Sequence, residues 1–111
     1  MSDKDPVEPP IRRQPRVSQR TIDYFDNLKA QNKKCSYMEL QSEAIKSVGT
    51  KIINKDIGFN YLSASRADLR KTLLFDNGAY FFIKYLSQTS GHSENVVMYS
   101  IFESLHSKRI T

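Results

Sequence analysis

The chain has 111 residues, 39% hydrophobic and 26% charged, the composition of a soluble globular protein with room for one compact domain or two very small units sharing one core. No apolar run approaches the roughly 20 residues needed to cross a bilayer, and Met1-Ser2-Asp3-Lys4-Asp5 carries no signal-peptide pattern, so the expected location is cytoplasmic with no membrane partner. The net charge of +5 favours a polyanionic partner, modestly; the single Cys35 excludes an internal disulfide and makes a poor zinc set with His92 and His106, so no metal or cofactor is expected.

Residues 1–10 hold Pro6, Pro9 and Pro10 among mixed charges and read as a flexible tail, whose Asp3, Asp5 and Glu8 lie close enough to screen the arginines that follow. Residues 11–20 carry Arg12, Arg13, Arg16 and Arg20 and no acidic residue. From Ser18, a fair N-cap, Ile22, Phe25 and Leu28 recur at three-residue spacing with Thr21 completing the stripe, which predicts a helix ending in the polar run from Gln31 to Lys34. Ser36-Tyr37-Met38-Glu39 is a capping box opening a second helix, with Leu40, Ala44, Ile45 and Val48 on one face and Gly49 as its expected stop.

Residues 50–67 carry Ile52, Ile53, Ile57, Phe59, Tyr61 and Leu62, too apolar for a bare linker, and are expected to pack on the core with turns at Asn54 and Gly58. Residues 69–75 read as a strand closed by the turn signal Asp76-Asn77-Gly78. Ala79, Tyr80, Ile83 and Leu86 mark a helix stopping near Ser90-Gly91, and Val97, Met98, Ile101, Phe102 and Leu105 mark another starting near Ser93.

The second half therefore repeats the order of the first. With Val17 laid on Phe75, an offset of 58, Ile22 meets Tyr80, Phe25 meets Ile83 and Leu28 meets Leu86. In the next helix the offset is 57, with Leu40 on Val97, Ala44 on Ile101 and Ile45 on Phe102. Apolar character matches throughout while identities hardly do.

Strand, helix, tight turn and helix, twice over, resemble the ribbon-helix-helix family of DNA-binding proteins (the MetJ/Arc/CopG-like group). The likeness is carried by Arg16-Val17-Ser18, by the Ile22, Phe25, Leu28 stripe, and above all by Ser36-Tyr37-Met38-Glu39-Leu40-Gln41-Ser42-Glu43-Ala44-Ile45, similar to the family pattern Ser-x-x-Glu-Leu-x-x-Glu-Ala-Ile. In the second unit it rests on Gly91-His92-Ser93 and the apolar face that follows. The resemblance implies a mainly α fold with a two-stranded antiparallel β-ribbon: a tail at 1–10, a first unit at 11–49, a packed connection at 50–67 and a second unit at 68–107 sharing one core with the first. Two units in one chain imply a monomeric pseudo-dimer, similar to tandem relaxosome accessory proteins of the TraY type, with double-stranded DNA as partner, a relaxase or other DNA-bound protein as a further one, and self-association on DNA left open.

Strand side chains alternate faces, so with Val17 inward, Arg12, Gln14 and Arg16 point outward, and with Leu73 and Phe75 inward, so do Arg70, Thr72 and Leu74. Arg presents a fork to guanine, Gln to adenine, and Thr or Leu an apolar contact to the thymine methyl. Pro15 cannot donate to a ladder and is expected at a non-hydrogen-bonded pair position; Arg13 shares the inward side and is expected to turn to a phosphate. The family's second helices hold phosphate at their N-termini, which nominates Ser36 and Ser93, assisted by Lys33 and Lys34. His92 and His106 read as surface or cap residues, and Tyr80, Phe81, Phe82 and Tyr85 as core or a subunit interface. No nucleophile with base, metal set or phosphate loop is evident, so the expectation is a non-enzyme, acting in conjugation or as a repressor, with an antitoxin-like interaction module and a nonspecific coating protein as the rivals.

Overall fold

A computed structural model describes residues 9–55, 59–66 and 68–106. Its elements run β1 (Ile11–Arg13), β2 (Arg16–Val17), α1 (Gln19–Gln31), α2 (Tyr37–Ile53), β3 (Leu69–Arg70), β4 (Leu73–Phe75), α3 (Asn77–Ser90) and α4 (Glu94–Ser104). The fold is mainly helical with a small two-stranded antiparallel sheet. In it β1 pairs with β4, setting Ile11 opposite Phe75, Arg12 opposite Leu74 and Arg13 opposite Leu73. In the same register β2 pairs with β3, setting Arg16 opposite Arg70 and Val17 opposite Leu69.

The gap between the two pairings has a covalent cause. The Lys71 N–H donates to the Pro15 carbonyl at 3.1 Å, and proline has no N–H to return the bond. Pro15 thus occupies a hydrogen-bonded pair position, not the non-bonded one its chemistry suggested, and the ladder loses one bond there instead of relocating.

Each helix begins where a side-chain acceptor satisfies its free N–H groups. Ser18 Oγ accepts from Thr21 N–H at 3.2 Å, Asp76 Oδ1 from Ala79 N–H at 2.8 Å, and Ser93 Oγ from Val96 N–H at 3.2 Å. The α2 capping box is complete: Glu39 N–H donates to Ser36 Oγ at 3.1 Å and Ser36 N–H to Glu39 Oε1 at 2.7 Å. Asp76-Asn77-Gly78 therefore opens α3 and is not a separate turn. Gly91 closes α3 in the left-handed region at φ 79°, which glycine adopts without Cβ crowding.

Gly49 does not end α2, which runs on to Ile53. A Cβ at position 49 would lie 2.7 Å from Phe82 Cδ1, so the glycine serves the close approach of Phe82 to the α2 backbone, not a helix stop. The helix accordingly overruns the boundary expected at 49.

The core draws on both halves. Phe102 of α4 is buried, with Phe25 of α1 edge-on at 5.4 Å and Phe75 of β4 stacked at 6.3 Å between ring centroids. Between α2 and β3, Phe59 and Tyr61 pack against the core, and the Leu62 N–H donates to Ser100 Oγ at 2.7 Å. Ile53 and Leu62 nevertheless stay exposed, while Ile57 and Gly58 lie outside the described residues.

The starts of α1 and α3 are each held by a helix from the other half of the chain. On one side Asp76 accepts from Lys46 Nζ at 2.8 Å, and its N–H donates to Ser42 Oγ at 3.0 Å. On the other, Ser18 Oγ donates to Glu103 Oε2, to which Thr21 Oγ1 donates at 3.2 Å. Lys46 and Glu103 are separated by the same 57 residues as the repeat.

Burial pushes the Asp76 carboxyl up, but the Lys46 ammonium and the N–H groups of Ala79 and Gly78 outweigh it and hold it below the ordinary carboxylate range. A depressed folded-state pKa contributes stability at neutral pH that is lost as pH falls below about 4 and through that depressed value. Both partners are more than a third exposed, so the contribution is under about 1 kcal/mol. Asp76→Asn keeps the cap acceptor and removes the charge; its Tm should fall less steeply with acidification than the wild type's, and parallel curves would count against this pairing.

Candidate nucleic-acid interface

The ribbon brings all six expected base-reading residues onto one face as three cross-strand pairs. Arg12 stands opposite Leu74 and Arg16 opposite Arg70, with Gln14 and Thr72 between them, where Gln14 Nε2 donates to Thr72 Oγ1 at 3.0 Å. Because Pro15 and Lys71 form a hydrogen-bonded pair, ladder alternation makes these three the non-hydrogen-bonded pairs, whose side chains lie closest. Arg12, Gln14, Arg70 and Thr72 are exposed, and Leu74 keeps 39% of its surface in water on a two-residue alternation with buried Leu73 and Phe75. Arg16 is partly buried, and its guanidinium donates to the Asp68 carbonyl at 3.1 Å.

At the centre stand Gln14 and Thr72, separated by 58 residues, the offset that superposes the two halves of the sequence. Under it Arg12 matches Arg70, Gln14 matches Thr72 and Arg16 matches Leu74. One end of the face therefore carries Arg16 with Arg70, and the other Arg12 with Leu74.

The expected phosphate residues divide. Ser36 and Ser93 stand exposed at the N-termini of α2 and α4, Lys33 and Lys34 are exposed just before Ser36, and both termini border the ribbon. Tyr37 and Met38 share a groove with Thr72 and Leu74, and Glu94 reaches Arg13 on β1. The Ser36 N–H is consumed by Glu39, which leaves the N–H groups of the first helical residues, Tyr37 and Met38, to face an anion.

Arg13 does not turn outward to a phosphate. Its Nε donates to Glu94 Oε1 at 3.1 Å and its Nη2 to Tyr80 Oη at 2.8 Å, and the guanidinium lies 4.7 Å from the Tyr80 ring centre. The Glu94 hydrogen bond raises the arginine's pKa, and the same carboxylate, accepting from Tyr80 Oη at 2.7 Å, raises that of the phenol. The reason lies in the pleat: position 13 is on the side of the ribbon that faces α3 and α4, so its partly exposed guanidinium comes within reach of the Glu94 carboxylate and the Tyr80 phenol.

Sequence reasoning missed Tyr80, Glu94, Lys46, Glu103 and Asp68 as partners, since each lies 30 or more residues from at least one group it holds. His106 is not a surface residue: its side chain, 12% exposed, meets Thr21 Oγ1 through Nε2 at 2.9 Å. His92 is exposed and stacks on Tyr61 at 4.5 Å. The Tyr99 phenol is pushed up to about 12 by burial, by Glu103 and by its hydrogen bond to Asp68, the reverse of an activated nucleophile. Of the α3 aromatics, Phe82 meets α2 at Gly49, while Phe81 is 59% and Tyr85 40% exposed. Among the described residues no group of three or more His, Cys, Asp or Glu is placed to hold a metal, and no helix is long and apolar enough to cross a membrane.

Comparison of the chain with protein-family models, curated proteins and solved structures gave no match.

Proposed function

We propose that this chain is a non-enzymatic, sequence-specific double-stranded DNA-binding protein: a tandem ribbon-helix-helix pseudo-dimer that lays its β-ribbon in the major groove, as a transcriptional repressor or a relaxosome accessory factor. The observation that carries the reading is the outward face of three cross-strand pairs centred on Gln14 and Thr72. A two-stranded ribbon fits the major groove, and these side chains have the donors that distinguish base pairs there. The flanking N-termini of α2 and α4, with Lys33 and Lys34, supply the phosphate contacts that set register.

The face has a direction. The Arg16 and Arg70 end favours guanines, whereas the Arg12 and Leu74 end favours one guanine beside a thymine methyl, so the recognition site is not a perfect palindrome and is bound in one orientation. Footprinting on DNA from the gene's own neighbourhood, at several salt concentrations and with competitor DNA, tests this. One asymmetric protected site with a large preference over competitor supports it. Equal affinity for all DNA overturns it in favour of coating.

Lys34→Ala should weaken every sequence evenly and reduce the magnitude of the slope of log affinity against log salt by about 1, measured by titration at four salt concentrations. A change of preferred sequence would contradict the phosphate role. The exposed Phe81 and Tyr85 favour a second reading, an antitoxin-like module docking a protein partner; DNA binding that is absent at low salt would select it.

A further inference from the structure

We propose that the groove between β4 and the α1–α2 hairpin is a small-molecule site for a flat, mostly apolar carboxylate of about bicyclic size. The groove encloses about 320 Å³, at the small end of ligand pockets, with Ile22, Phe25, Met38 and Leu73 among its walls. Gln41 lines it, is 7% exposed, and its amide makes no hydrogen bond to any described residue. The buried polar side-chain atom without a partner among the described residues is His106 Nδ1, so the Gln41 amide still reaches the water of the groove and can donate to a ligand oxygen there. Lys71 also lines the groove, exposed and without an ion pair among the described residues, and its ammonium supplies the charge that a carboxylate complements. The other charge at the groove, Asp26, already accepts from Tyr37 Oη at 2.8 Å.

The other half of the chain shows what the same place needs when it takes no ligand. Under the repeat offsets Lys71 matches Arg13, Ile22 matches Tyr80, Tyr37 matches Glu94 and Gln41 matches Met98. There the guanidinium packs on Tyr80, pairs with Glu94, and Met98 is fully buried. The fold therefore has no need of an amide at that position. The groove is the counterpart of a space that Arg13 and Tyr80 fill from within.

Thr72 and Leu74, on the outward face of the ribbon, border this groove, so occupancy reports to the DNA-reading strand; this last step alone rests on the function proposed above. Binding is tested first without DNA, by ligand-observed NMR on the full chain with indole-3-acetate and its uncharged amide as probes. The acid should bind saturably and the amide about tenfold more weakly. Gln41→Met, which copies the other half, should abolish binding with the Tm unchanged or raised, and Lys71→Met should weaken the acid to the level of the amide. Absence of saturable binding by the acid, equal binding of acid and amide, or wild-type binding by Gln41→Met would each overturn the site. Probe binding with no DNA affinity at any salt would uphold the site while removing the DNA reading, so the two failures are separable.

Discussion

Replacing Arg16 and Arg70 together by alanine should raise the dissociation constant for the specific site by roughly two orders of magnitude or more, because each bidentate arginine–guanine contact is worth about 1–3 kcal/mol of discrimination. The two arginines face each other across the ribbon at a closely spaced pair position, so in the proposed complex they would address neighbouring base pairs. The same geometry makes the free protein respond in the opposite sense. Two like charges directly opposite on a ribbon repel, by a few tenths of a kcal/mol, until an anion lies between them. Arg70→Ala should thus leave the Tm of the free chain unchanged or slightly raised while weakening its specific complex. Arg16→Ala gains less, because it also forfeits the hydrogen bond to the Asp68 carbonyl. Competition titrations against single-base variants of the site, with a thermal melt of the free chain, read both signs. A double variant that kept the wild-type order of preference would show that this end of the ribbon reads no base.

Gly49→Leu should destabilise the chain by about 3 kcal/mol, and Gly49→Ala by about 1–3, even though both residues are better helix formers than glycine. The propensity gain of roughly 1 kcal/mol is outweighed because a Cβ at position 49 would meet Phe82 Cδ1 at 2.7 Å, Cγ at 2.9 Å and Cβ at 3.1 Å. These atoms lie near the root of the Phe82 side chain, so rotation of the ring does not clear them; α2 and α3 must separate. Phe82→Leu in the Gly49→Ala background should recover part of the loss, and a double-mutant cycle with a non-zero coupling measured by urea unfolding would locate the clash between these two residues. Additive losses would place the cost elsewhere.

The helices were legible because their signals are local. Ser18, Ser36 and Ser93 cap from within their own first turn, and the stripes through Phe25, Ile45, Ile83 and Ile101 encode a buried face whatever it is buried against. The outward and inward sides of the ribbon were legible for a similar reason. Strand alternation has a period of two, and Val17 with Phe75 anchors which side is in.

What position-by-position reading could not supply was the identity of partners brought together from afar. Proline chemistry alone points Pro15 to a non-hydrogen-bonded pair, but the ladder's phase is set by the packing of Val17, Leu73 and Phe75 against the core. Burying those residues outweighs one missing hydrogen bond. Gly49 resembled a helix stop because glycine serves both at a left-handed end and at a close approach; only Phe82, 33 residues away, decides between them.

Arg13 divides the two kinds of information. Its charge and its inward position follow from the chain itself, but the groups that neutralise it, Tyr80 and Glu94, come from α3 and α4, the one an apolar-face residue and the other a first-turn acid in the sequence. Periodicity and capping thus determined the helices, the strands and the side of the ribbon that faces out, because those depend on neighbours a few residues apart. The phase of the ladder, the cross-grip on the helix starts and the pairing of Arg13 were decided by tertiary packing, because each trades a local preference for contacts that exist only once the two halves meet.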